Sequence, residues 1–131
     1  MKEKLYKILT PQEWEISKAS GFITTELDSN DGFIHLSNAA QLPTTLALYF
    51  SDHEEVILLL PELTQVEDKL IYEAVDSKSK RSGMFGHLYA ELKISQISKL
   101  WILKRNAFEI PEDILLEAEM GRWLTRPINK D

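Results

Sequence analysis

The first apolar run, KLYKIL over residues 4–9, is short enough for a strand, and TPQEWEISKASG behind it carries helix punctuation. Thr10 suits the cap, Pro11 the first helical position, and Glu13 completes a Thr-x-x-Glu capping box, while Gly21 suits the left-handed residue that ends a helix. Residues 22–27 read as a short strand or an irregular crossing, and SNDG at 29–32 as a turn feeding a strand at 32–36. Ser37 opens a helical stretch to about Phe50, which Pro43 kinks or divides. EVILLL at 55–60, closed by Pro61, has the continuous apolar character of a buried central strand. KLIYEAV at 69–75, HLYAELKI at 87–94 and KLWILK at 99–104 read as further strands, the polar loop DSKSKRSGMFG at 76–86 separates the first two, and a last helix is predicted over 111–121. Several strands among three or so helices predict a compact α+β domain spanning 1–131.

Two of these strands carry chemistry on the face opposite their apolar residues. In DGFIHLS, Ile34 and Leu36 share one face, leaving Phe33, His35 and Ser37 on the other. In FGHLYAELKI, Leu88, Ala90, Leu92 and Ile94 share a face, leaving His87 and Tyr89 opposite. Each histidine thus precedes a hydroxyl by two residues on a non-core face, and in one sheet the two imidazoles would line one cleft. Imidazole titrates near neutrality and serves as donor, acceptor or proton carrier. The plain alternative is a pair of half-exposed strand residues bonded to their neighbours.

Ser37 is read as a helix cap at a strand-to-helix junction, a place where free backbone N–H groups attract phosphate. Glu73 lies on an otherwise apolar strand, either at an exposed edge or placed against a partner. Lys78, Lys80 and Arg81 form the one basic concentration, with Arg81 suited to a bidentate phosphate clamp. His53, in a polar turn, reads as solvated surface, and Trp14, Trp101 and Trp123 as packing residues.

Composition narrows these options. A formal charge of −6 argues against general nucleic-acid binding, and the absence of cysteine excludes disulfides, thiolate metal sites and cysteine nucleophiles. The N-terminus has no apolar signal region, and no segment is long enough to span a bilayer, so a cytoplasmic protein is expected. No His-x-x-x-His spacing, Gly-rich phosphate loop or nucleophile elbow appears, and no metal is expected. The oligomeric state is not encoded in any recognisable feature.

Together, Tyr6-Lys7-Ile8, Trp14, Ala19, Gly21, Leu27-Asp28, DGFIHLS, Gln41, Thr45, Tyr49-Phe50, Tyr72-Glu73 and FGHLYAEL resemble a domain-of-unknown-function family of bacterial proteins of the DUF952 type. The resemblance covers about residues 4–95, leaving a C-terminal strand, helix and tail over 96–131. It departs from the family pattern at Ser82-Gly83, Gly86 and Ala90. The resemblance implies an ADP-ribosyltransferase-like fold: two small sheets with flanking helices and a cleft for NAD. It implies that His35, His87 and Glu73 are catalytic, and that Ser37, Tyr89, Arg81, Tyr6 and Lys7 contact the ligand. The resulting expectation is an enzyme acting on NAD, or on another small phosphate-bearing ligand such as an ADP-ribose-like ester. Its alternatives are a non-catalytic module sensing a nucleotide or small anion, and an interaction domain with structural histidines.

Overall fold

The computed structural model of the protein describes residues 3–74, 83–104 and 110–125, with side chains as far as Met120. Six strands are present among these residues: β1 (Leu5–Leu9), β2 (Ile34–Asn38), β3 (Val56–Pro61), β4 (Leu70–Ala74), β5 (Met84–Leu88) and β6 (Ile97–Leu103). Four α-helices accompany them: α1 (Pro11–Ser20), α2 (Glu26–Asp31), α3 (Leu42–Tyr49) and α4 (Glu112–Thr125). The α+β class holds, but the expected pair of small sheets is replaced by one six-stranded sheet of order β4-β5-β2-β1-β3-β6. Every pairing in it is antiparallel.

Apolar side chains cover both faces of the sheet, which explains why β3 is apolar throughout. On one face Tyr6, Ile8, Val56 and Leu58 pack beneath Leu42 and Leu46 of α3 and Ile114 and Ala118 of α4. On the other, Leu5, Leu9, Ile57 and Leu59 join Ile34, Leu36 and Leu88 beneath Trp14 of α1. The Tyr6 hydroxyl donates to Glu117 of α4 at 2.8 Å, and burial first, then this carboxylate, pushes the phenol well above its ordinary pKa.

Helix α1 forms as its punctuation predicts. Thr10 accepts from the Glu13 N–H while Glu13 returns a bond to the Thr10 N–H, and Gly21 closes the helix at φ 87°. Elsewhere the structure corrects the reading. Residues 22–27 form no strand; Phe22 makes an isolated bridge to Lys93, and the chain then enters α2, capped by Thr25 and ended by Gly32 at φ 83°. The predicted turn at 29–32 is therefore the last turn of a helix. Polar residues hid it, because ELDSND has no apolar stripe to signal a helical face.

Ser37 does not cap a helix. The strand runs one residue further, and Asn38 caps a turn of 3-10 helix at Ala39–Gln41, accepting from the Gln41 N–H at 2.9 Å while Gln41 accepts from the Asn38 N–H. Pro43 then sits in the first turn of α3, where its missing N–H costs nothing. Strand β5 is shorter than HLYAELKI suggests and ends at Leu88, although Leu88 and Leu92 do enter one core cluster, with Ala90 and Ile94 packed against it. Among the described residues no helix is long and apolar enough to cross a membrane.

Candidate functional site

Strands β2 and β5 pair with Ile34 opposite Leu88, His35 opposite His87 and Leu36 opposite Gly86. The alternation that sends Ile34 and Leu36 into the core thus places both imidazoles side by side on the other face, their centroids 5.6 Å apart. Phe33, two residues before His35, shares that face. Its ring stacks on His87 at 4.0 Å, lies tilted 4.6 Å from His35, and stands 5.2 Å from Tyr89.

At the other edge of β2 the sheet forks. Strands β1 and β2 pair only as Leu5–Asn38 and Tyr6–Ser37, and the Lys7 side chain enters the opening beyond. Its ammonium donates to the His35 carbonyl at 3.2 Å and straddles the Asp28 carboxylate, 3.0 Å from Oδ1 and 2.7 Å from Oδ2. Both side chains are almost fully buried. Asp28 Oδ1 also accepts from the His35 N–H at 3.2 Å and lies 2.7 Å from His35 Nδ1. Burial works to raise the Asp28 carboxyl, but His35 and Lys7 together hold it below its ordinary value. Burial lowers the Lys7 pKa against the pull of Asp28, so the two partners shift in ways that favour opposite charge states. The two close Nζ–carboxylate contacts identify the ion pair as the resident state.

His35 faces a second carboxylate, with Nε2 2.9 Å from Asp31 Oδ2. A neutral imidazole has one N–H and can donate to only one of two carboxylates. Both contacts are hydrogen bonds only when the ring carries two protons. His87 is held more simply. Its Nδ1 lies 2.7 Å from Glu73 Oε1, which also accepts from the Tyr89 hydroxyl at 2.7 Å. The Tyr89 bond first, then that of His87, lowers the Glu73 carboxyl, while the Tyr89 hydroxyl is raised by the same bond. With Nδ1 donating to Glu73, Nε2 of a neutral His87 is an acceptor. Glu73 stands on β4, at the edge of the sheet, and owes its place on an apolar strand to this partnership.

These groups meet at a cleft of about 940 Å³ that reaches from β5 across β2 to β1 and the end of α3. His35, His87, Ser37 and Lys7 line it; Glu73, Tyr6 and Tyr89 do not, and Glu73 and Asp28 reach it only through the histidines they hold. Tyr6 is buried against α4, and Tyr89 holds Glu73 beside the His87 ring. Thr45 Oγ1 uses its proton on the Gln41 carbonyl at 3.0 Å, so Ser37 is the donor in the 3.2 Å Ser37–Thr45 bond. Arg81, with Lys78 and Lys80, lies outside the described residues.

His53 corrects the sequence reading: it lines this cleft, so all three histidines of the chain share it. Asp28 and Asp31 are the other residues the strand argument missed. Their signal was two carboxylates three apart, immediately before Gly32 and the His35 strand. Among the described residues, no three His, Cys, Asp or Glu side chains are grouped to hold a metal ion. A separate concavity of about 650 Å³ at the Glu3–Tyr72 end of the sheet carries no histidine.

Residues 8–100 match a family described as a protein of unknown function (DUF952). Two solved structures of protein CC0527 from Caulobacter crescentus are similar. The crystal structure is 31% identical, with 94% of this chain and 99% of that chain covered and a TM-score of 0.68. The solution NMR structure is 34% identical, with 83% and 91% covered and a TM-score of 0.65. Among curated proteins none matches. The family match spans well over half of the sequence, and the chain therefore belongs to this DUF952 family of unknown function.

Proposed function

We propose that the cleft binds NAD or an ADP-ribose-like phosphate ester and that the chain cleaves or transfers at the ribose. The observation that carries this reading is the in-register His35–His87 pair, each ring tied through Nδ1 to a carboxylate, at the floor of one cleft. A volume of about 940 Å³ lies within the roughly 300–1,000 Å³ typical of small-molecule sites.

The chemistry assigns different tasks to the two rings. His35, able to carry two N–H groups between Asp28 and Asp31, orients the ligand as a donor once Asp31 gives up Nε2. His87 offers Nε2 as an acceptor, and Glu73 is its positioning residue. With NAD, the bond between the anomeric carbon and the nicotinamide nitrogen breaks, and its electron pair leaves with nicotinamide. Water or an acceptor hydroxyl forms the new C–O bond and passes its proton to His87. Lys7 is committed to Asp28, so phosphate contact falls to the basic run ending in Arg81, which follows the cleft-lining Ala74 in sequence.

Incubation with NAD, with and without candidate hydroxyl acceptors, should release free nicotinamide, and His35→Ala and His87→Ala should each abolish it. A specific observation favours the alternative of a non-catalytic binding module: Asp31 occupies His35 Nε2, while Phe33 covers a face of His87. Saturable shifts of the histidine resonances without turnover would establish that module. No shift with NAD or ADP-ribose refutes both.

A further inference from the structure

Resting on the reading that the cleft takes a nucleotide-like molecule, we propose that His53, with Phe50 and Tyr49, forms a second subsite that receives the planar heteroaromatic part of the ligand. The residues come from a different element than the histidine pair. Helix α3 ends at Tyr49, Phe50 closes it, and the His53 N–H donates to the Phe50 carbonyl at 3.0 Å, folding the turn back on the helix. The His53 ring is thereby brought 6.0 Å from the Phe50 ring at a tilt of 52°. Tyr49, Phe50 and His53 all line the cleft, and Tyr49 is 56% exposed, which leaves aromatic surface open to a ligand there.

Charge decides which part of the ligand belongs there. Asp52 Oδ1 lies 3.7 Å from His53 Nε2, Glu54 follows in sequence, and Glu13 also lines the cleft. Lys7, the lysine of the cleft wall, is neutralised by Asp28. Among the described residues that line the cleft Lys7 is the one lysine or arginine, so a phosphate at this end would meet carboxylates and no cation left to pair with it. A purine-like ring meets aromatic surface for stacking and an imidazole edge for a hydrogen bond, a combination that tolerates nearby negative charge. The three histidines thus divide one ligand, with His35 and His87 at the reacting sugar and His53 at the base.

The test uses the full chain and adenosine, a nucleoside without phosphate, followed by the ring resonances of the three histidines. Adenosine should shift His53, and His53→Ala and Phe50→Leu should each weaken its binding by about tenfold. The conservative His53→Gln should recover part of the loss. Pyrophosphate alone should leave His53 unmoved, and the amide spectrum of each variant verifies its fold. Adenosine failing to move His53, or pyrophosphate moving it, overturns the subsite. If NAD still shifts His35 and His87 in that case, the ligand reading survives without it. Failure of NAD, ADP-ribose and adenosine to move any histidine defeats the ligand reading itself.

Discussion

Asp28→Ala should be among the most damaging single substitutions in the chain. The carboxylate is buried, contacts the Lys7 ammonium through both oxygens, and accepts from the His35 N–H and Nδ1. Its removal leaves a buried ammonium with only the His35 carbonyl, 3.2 Å away, among these partners. Breaking one side of a buried ion pair costs about 3–5 kcal/mol, against a total domain stability of about 5–15 kcal/mol. At about 3 °C per kcal/mol for a chain of this size, the melting temperature should fall by about 9–15 °C. Urea unfolding followed by tryptophan fluorescence measures the loss. Replacing both charges, as Lys7→Met with Asp28→Leu, should return part of it, because no unpaired lysine charge then stays buried, although His35 still loses its Asp28 acceptor. The sign with pH follows from the depressed Asp28 value. Its stabilisation is present above the ordinary aspartate pKa of about 3.9 and is lost as pH falls through the folded value. The gap between wild type and Asp28→Ala should therefore close in acid. A loss under about 1 kcal/mol, or a double variant no better than Asp28→Ala, would refute the ion-pair account.

Three further outcomes are expected. Tyr6→Phe should cost about 0.5–1.5 kcal/mol through the lost bond to Glu117. Because the Tyr6 pKa is raised on folding, its contribution is present below about pH 10 and lost as pH rises, so the variant should unfold less steeply in alkali. Gly86→Ala should destabilise by about 1–3 kcal/mol, since a Cβ there would meet Leu5 Cδ1 at 2.7 Å within a packed core, and equilibrium denaturation reads this directly. Asn38→Ala should cost about 1 kcal/mol by taking the Oδ1 acceptor from the Gln41 N–H, whereas Ser37→Ala should leave that cap intact, an asymmetry that thermal melts will show.

The two histidines were legible from the sequence because period-two alternation fixes a face independently of everything else in the fold. Their pairing in register was not, since β2 and β5 are about fifty residues apart in a chain whose strand order no local signal encodes. Asp28 escaped for a related reason: it sits on a six-residue polar helix that resembles a turn, and only the fork beyond Tyr6 brings Lys7 to it. Tyr6 shows the opposite limit. A resemblance can propose a ligand contact, but the same alternation that places Tyr6 beside Ser37 turns its ring under α4.

The two-pair contact between β1 and β2 also bears on how the molecule breathes. It is a seam joining two half-sheets, β4-β5-β2 and β1-β3-β6, each zipped internally over longer registers. Amide exchange should distinguish the halves, with protection at Leu5 and Tyr6 lost before that of Leu58 and Leu59. The cleft draws residues from both sides, so a molecule seated in it would suture the halves and slow their parting. Even a weak ligand could then betray itself as delayed deuterium uptake along this join.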